Sequence, residues 1–582
     1  MLTGSFFCIY ELYLRYKSTR LRIVNDSSKL DQPHIFTKIL RTFLPLYFII
    51  LTLVSSRTLV YIPRMTVKVL SAIPFGYGSR KVIVEADTTR GLPRFDIIGL
   101  ANKIVDESRG RIRAAIKNSD FVFPSDHITI NLAPAELPKR SSHLDLPIAL
   151  AILRLSKQLL DADLNNKCFV GELALSGEIM PVRGIVNIVE LAEARHYEEL
   201  IIPSKNYKEA ILLASKTKIT PIHNLKELWL HLKGIQQIFP QENVVKNTRT
   251  DKTQAFSDTS EFITTNVVKN NNTDTLPILD NIVGQYDAKR ALTIALAGRH
   301  NILLSGPPGS GKSMLAKCAR SLLPEPTKEE LIEITKLHTL SKLTNSQIPI
   351  RPFRSPHHTS SLRSMLGGGI DLQPGEISLA SRGILFLDEI AEFQRDVLEA
   401  LRQPLEEHCI NICTASAKTC YPANFILIGT MNPCPCGNYG TGTCSCTPRQ
   451  VENYRKRLSG PILDRIDMKI KIHHVPTSVL VKSTTTSNHE HETAKAKIAA
   501  ASRTQLEERH KYNSELSSVE AARLITKTKT KNFILEACKK LNLSARSYFR
   551  LIRVSRTIAD LDNSSTIKPN HIAEALLYRQ EI

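Results

Sequence analysis

The stretch NILLSGPPGSGKS, Asn301 to Ser313, decides the fold. Ile302, Leu303 and Leu304 form a short apolar run, the pattern of a strand covered on both faces. Gly306-Pro307-Pro308-Gly309-Ser310-Gly311 follows as a turn with little side chain to obstruct an approaching group. Lys312 and Ser313 then open the helical pattern MLAKCARSLL. Such a loop converges several backbone N–H groups on one point, and the helix start adds its free donors and the positive end of its dipole. Triphosphate oxygens match that arrangement, with Lys312 as a point charge for the β/γ-phosphates and the Ser313 hydroxyl as a Mg²⁺ ligand. The strand before and the helix after separate this motif from a chance Gly-rich turn.

A second buried-strand pattern, Ile384-Leu385-Phe386-Leu387, ends in Asp388-Glu389. An acidic pair at the C-terminal end of a parallel strand lies where open α/β sheets bind ligands. Asp388 is expected to hold Mg²⁺ and Glu389 to polarise the attacking water. A third strand pattern, Phe425 to Thr430, leads to Asn432, whose amide is expected to orient that water. These pieces predict an α/β P-loop core over residues 276–475 that uses ATP and Mg²⁺.

The remaining chain divides by composition. With 582 residues it should hold several domains. Lys and Arg number 77 against 56 Asp and Glu, a net charge of +21 that suits a polyanionic partner such as nucleic acid. Residues 1–64 contain an apolar run, Phe43 to Val54, too short for an ordinary spanning helix. They are expected to be an upstream extension with Met65 as the functional start, a membrane anchor being the alternative. Residues 65–240 alternate strand and helix signals and predict an α+β domain, 241–275 a polar linker, and 480–582 a helical lid. His408 to Tyr421 reads as a β-hairpin, and Arg351 to Gly369, with its His357-His358 pair, as a loop or insert.

The 11 cysteines include Cys434-x-Cys436 and Cys444-x-Cys446. Four thiolates can close a tetrahedral Zn²⁺ site, although C-x-C is tighter than the usual spacing; a reduced Gly-rich loop is the other reading.

The ordered set GPPGSGKS, PGEISLASRGILFLDE, GTMNPCPCG, LSGPILDRID and LSARSYFRLIRVSRTIADL resembles the AAA+ ATPases of the Mg-chelatase-like ComM (YifB) family. The segments RGLPRFDIIGL, ESRGRIRAAIKNSDFVFP, ITINLAPAELPK and DLPIALAIL resemble that family's N-terminal domain, similar in fold to Lon-protease and ribosomal-S5 domains. The resemblance implies a homo-oligomeric ring, a hexamer, with ATP between subunits. It makes Lys312 and Ser313 the Walker A contacts, Asp388 and Glu389 the Walker B pair, and Asn432 sensor 1. It also makes Arg465 the finger reaching a neighbour's γ-phosphate and Arg546 sensor 2 in the lid, and turns the 408–421 hairpin and the 351–369 insert towards a central pore. The implied partner is DNA, as junctions or single strands, and the implied activity is branch migration supporting natural transformation, in the cytoplasm without stable membrane association. Two alternatives stand: a Mg-chelatase-like subunit that remodels a protein for metal insertion, and an ATP-dependent protease. The protease is disfavoured because Ser141 and Ser142 occupy a turn and no serine stands where the Lon nucleophile would.

Overall fold

The computed structural model describes residues 66–99, 103–137, 142–160, 162–238, 277–341, 350–369, 371–414, 417–440, 443–475, 489–541 and 543–579. The expected leader at 1–64 and linker at 241–275 lie outside the described residues, as does Ser141.

The N-terminal region is built on a seven-stranded mixed sheet. Its strands are β1 (Val67–Phe75), β2 (Gly78–Thr89), β3 (Arg94–Ile98), β4 (His127–Ala133), β5 (Lys167–Phe169), β6 (Glu199–Pro203) and β7 (Lys218–Ile222), in the spatial order β3-β4-β2-β1-β5-β6-β7. Alternation along β4 sends Ile128, Ile130 and Leu132 inward, where they meet Ile112 and Ile116 of α1 (Lys103–Asn118). Helix α2 (Asp145–Leu155), followed in the chain by α3 (Ile185–Ala194), is apolar on nearly every side and is buried from Asp145 through Leu153. Such a helix can only be central packing.

The second region carries five parallel strands, β8 (Ile302–Ser305), β9 (Phe353–Arg354), β10 (Ile384–Leu387), β13 (Ile426–Met431) and β14 (Met468–Lys471), ordered β9-β10-β13-β8-β14. Between β10 and β13 in the chain lies the expected hairpin, β11 (Cys409–Cys413) with β12 (Lys418–Pro422). The continuous apolar runs follow from burial on both faces. Ile302 and Leu304 join one core with helices α4 (Tyr286–Gly298), α5 (Lys312–Leu322), α7 (Glu490–Arg509), α8 (Ala545–Leu561) and α9 (Pro569–Leu577). Leu303, Leu385, Leu387 and Leu427 join another with α6 (Lys328–Leu340) and the hairpin. The expected lid helices therefore share a core with one face of the ATPase sheet. The chain's last described turn also adds to the sheet edge, since the Lys469 N–H donates to the Tyr578 carbonyl at 2.6 Å.

The insert expected at 351–369 is partly structural. Phe353–Arg354 is the edge strand beside β10. Arg351 is 3% exposed, and its guanidinium lies 2.6 Å from Glu330. A buried, paired arginine holds its own fold together and cannot face a pore.

The β1–β2 turn of the N-terminal sheet seats on the ATPase hairpin. A Cβ on Gly76 would lie 2.4 Å from Thr419 Oγ1, so only glycine permits this approach. The Tyr77 N–H donates to Thr419 Oγ1 at 3.1 Å, and the Tyr77 ring meets Tyr421 edge-on at 5.8 Å. Lys336 of α6 lies over the same ring at 4.3 Å and pairs with Glu190 at 2.8 Å.

Candidate nucleotide site and arginine pair

The phosphate loop forms where β8 ends, inside the sheet, with β13 and β14 on either side. Gly306 is squeezed there, since an added Cβ would stand 2.4 Å from the Ile472 carbonyl oxygen. Gly309 and Gly311 take φ of +74° and +88°, and α5 starts at Lys312. Lys312 Nζ donates to the carbonyls of Gly306 at 2.6 Å and Pro307 at 2.7 Å, and to Asn432 Oδ1 at 3.2 Å. Burial pushes the ammonium below its ordinary pKa, and the facing Asp388 and Glu389 oppose that shift. The predicted Walker lysine and sensor asparagine are thus in contact.

Ser313 Oγ lies 3.0 Å from Asp388 Oδ2 and 3.1 Å from Oδ1. A hydroxyl and a carboxylate converging at the end of a phosphate loop are the hard oxygen donors that suit Mg²⁺, so Ser313 and Asp388 would hold it. Sequence reasoning overlooked Thr430, which is fully buried. Its hydroxyl donates to Asp388 Oδ1 at 2.5 Å and accepts the Glu389 N–H at 3.0 Å. One side chain thereby fixes both acidic residues, and Glu389 stays exposed at φ +51°, a backbone state that non-glycine residues adopt at a cost. Gln285 was overlooked as well. It ties the loop to the end of β14 by donating to the Ser310 carbonyl at 3.3 Å and the His473 carbonyl at 2.6 Å.

Arg465 lies at the other end of the sheet. Its carbonyl accepts from Asn301 Nδ2 at 3.4 Å, and Asn301 immediately precedes β8, whereas the phosphate loop follows β8. Four strand residues separate the two ends by about 13 Å. Arg465 and Arg546 both pair with Glu406, Arg546 at 2.9 Å. The residue expected as sensor 2 is therefore gathered with the expected finger around Glu406, away from the phosphate loop. Asp467 supports this corner, pairing with Arg550 at 3.3 Å and accepting the Asn301 N–H at 3.1 Å. Burial opposes its ionisation, but the His300 ring 3.7 Å away and the Arg550 charge hold its pKa down at about 2.

Comparison with known proteins identifies the family. Family models described as magnesium chelatase subunit ChlI match residues 278–480 and 84–206, and the model of that subunit's C-terminal part matches 488–579. The chain is 41% identical over 515 residues to Competence protein ComM of Haemophilus influenzae, covering 88% of this chain and 97% of that protein. This chain belongs to the ComM (YifB) family of Mg-chelatase-type AAA+ ATPases. It is also 38% identical over 510 residues to the uncharacterized protein YifB of Escherichia coli, covering 87% of this chain and 95% of that one. The uncharacterized protein Rv2897c of Mycobacterium tuberculosis is 33% identical over 512 residues, covering 87% and 97%.

Within this ComM-family chain, Ser142 lies in the single 3-10 turn Ser142–Leu144, and its Oγ donates to Glu172 at 2.5 Å. The His357 and His358 rings stack at 4.1 Å, and His357 Nδ1 contacts Thr359 Oγ1 at 2.9 Å. The metal-capable cluster among the described residues is instead Cys434, Cys436, Cys444 and Cys446. No helix among the described residues is long and apolar enough to cross a membrane.

Proposed function

We propose that this chain is an ATP-hydrolysing ring motor that acts on DNA in the cytoplasm, migrating branch points of junctions or single-stranded intermediates during recombination of incoming DNA. The observation that carries the ring is the separation of Arg465 and Arg546 from their own phosphate loop by the length of β8. An arginine so placed can stabilise a transferring phosphoryl group only on a neighbouring subunit, which calls for a closed, head-to-tail homo-oligomer, a hexamer on the family's pattern. DNA as the substrate draws on the likeness to Competence protein ComM and on the net charge of +21.

The chemistry assigned to each residue follows from its position. Lys312 leaves the loop carbonyls to neutralise the β/γ-phosphates, and Ser313 and Asp388 would hold a Mg²⁺ that would offset more of that charge. Glu389 takes the proton of the attacking water, which the Asn432 amide orients. Arg465 from the adjacent subunit, steered by Glu406, meets the developing charge.

The test is a labelled three- or four-way DNA junction given to the purified protein with ATP, beside casein and a porphyrin with Mg²⁺. ATP-dependent strand displacement with DNA-stimulated turnover is the expected result. Turnover indifferent to DNA, coupled with metal insertion into porphyrin, would replace this function with the chelatase-like one.

A further inference from the structure

We propose that Cys434, Cys436, Cys444 and Cys446 form a closed structural zinc site that braces the phosphate loop. The four sulfur atoms all lie within 4.8 Å of one another. Cys434 and Cys436 are 3.3 Å apart, Cys436 and Cys444 3.6 Å, and Cys434 and Cys444 3.8 Å. Tetrahedral zinc with bonds of about 2.3 Å spaces its sulfurs about 3.8 Å apart, whereas a disulfide would bring two of them to about 2 Å. All four donors are thiols, a soft set that selects zinc over magnesium or calcium.

Backbone N–H groups converge on three of the four sulfurs. Cys436 accepts backbone N–H groups from Asn438 and Ser445, Cys446 accepts one from Cys436, and Cys444 accepts one from Cys446. The two C-x-C arms thus clasp each other, which answers the objection that their spacing is too tight. Among the described residues of this segment, Cys434 is the one side chain in the buried apolar set, and Tyr439 is 50% exposed with the Arg455 guanidinium 5.0 Å from its ring.

The position of the cluster links it to the nucleotide. The first arm begins two residues after Asn432, the partner of Lys312. Gly437, at φ +82°, lies between the arms, and a Cβ there would stand 2.6 Å from Cδ of Pro308 in the phosphate loop. The second arm runs into Thr447, which caps the helix Pro448–Arg455. Metal binding would hold Gly437 against Pro308 and so keep the loop in its phosphate-binding shape. This second half of the inference rests on the nucleotide reading; the metal site does not.

The experiment uses the full chain. Metal analysis should find about one zinc per chain, and the chelator-stripped protein given Co²⁺ alone should show the intense visible absorption of a tetrahedral cobalt thiolate. Cys444→Ser should lose both signals, while Cys413→Ser, in the hairpin, should keep them. Fluorescent ATP analogue binding should weaken about tenfold or more on stripping, recover on zinc return, and weaken in Gly437→Ala with zinc retained. No zinc and no cobalt band, or full zinc in Cys444→Ser, would overturn the site. Unchanged analogue binding in stripped protein and in Gly437→Ala would overturn the link to the loop. A zinc-loaded wild type that binds no nucleotide would refute the P-loop reading instead. The strip-and-return measurement on wild type keeps the test sound should a variant misfold.

Discussion

At the scale of single residues, the informative group is Glu406 between Arg465 and Arg546. Removing an arginine that acts on a neighbour's phosphate leaves that arginine's own subunit able to bind nucleotide. Arg465→Ala should therefore leave the nucleotide dissociation constant unchanged while the hydrolysis rate falls by about 10³ or more, as equilibrium binding and steady-state turnover would show. Thr430 offers a separate check. Thr430→Val keeps the volume but removes the hydroxyl that holds Asp388 and Glu389, and should lower kcat about 10- to 100-fold with little change in fold. Asp467 predicts a pH effect. Its folded pKa of about 2 lies below the ordinary aspartate value of about 3.9, so its stabilisation is complete above that value and is lost as pH falls towards 2. Thermal unfolding followed between pH 6 and 2 should decline less steeply in Asp467→Asn than in wild type, from a lower starting stability.

At the scale of elements, the β1–β2 turn decides how the N-terminal sheet meets the motor. Tyr77 makes edge contact with Tyr421, lies under Lys336 and bonds Thr419 through its N–H, all against the hairpin or α6. Tyr77→Ala should cost about 2 kcal/mol and speed proteolytic separation of the two regions, as thermal unfolding and limited digestion would show. Several strands are legible because burial writes itself as apolar runs or alternation: Ile384 to Leu387 carries the continuous run and Ile128 to Leu132 the alternation, whereas the two-residue edge strand Phe353–Arg354 carries neither. The sequence pattern over Asp396 to Gln403 predicts a helix, and the chain folds there as two, Arg395–Ala400 and Arg402–Glu407, with Leu401 at the join. Arg351 was misjudged because a charged residue in a polar stretch gives no sign of a distant buried partner such as Glu330.

At the scale of the whole molecule, the proposed ring would make assembly a condition of activity. Sedimentation with ATP should show a ring-sized species, and mixing Arg465→Ala chains with Lys312→Ala chains should restore part of the lost turnover, because each supplies what the other lacks. DNA-stimulated turnover should also fall steeply between low and moderate salt, since phosphate contacts release counterions.

Short-range patterns were enough to locate the phosphate loop, the acidic strand end, the sensor asparagine and the paired thiols. Backbone N–H convergence and the pairing of thiols are set by residues close in the chain, so their spacing carries the chemistry, whereas Ser313 and Asp388 are 75 residues apart and each is marked by its own local pattern. Tertiary structure alone decided that Thr430 clamps the acidic pair, that Glu406 collects two arginines from distant segments, and that Gly437 rests on Pro308. Each of those contacts depends on which strands become neighbours, and that order is set by packing both faces of the sheet at once, which no local pattern records.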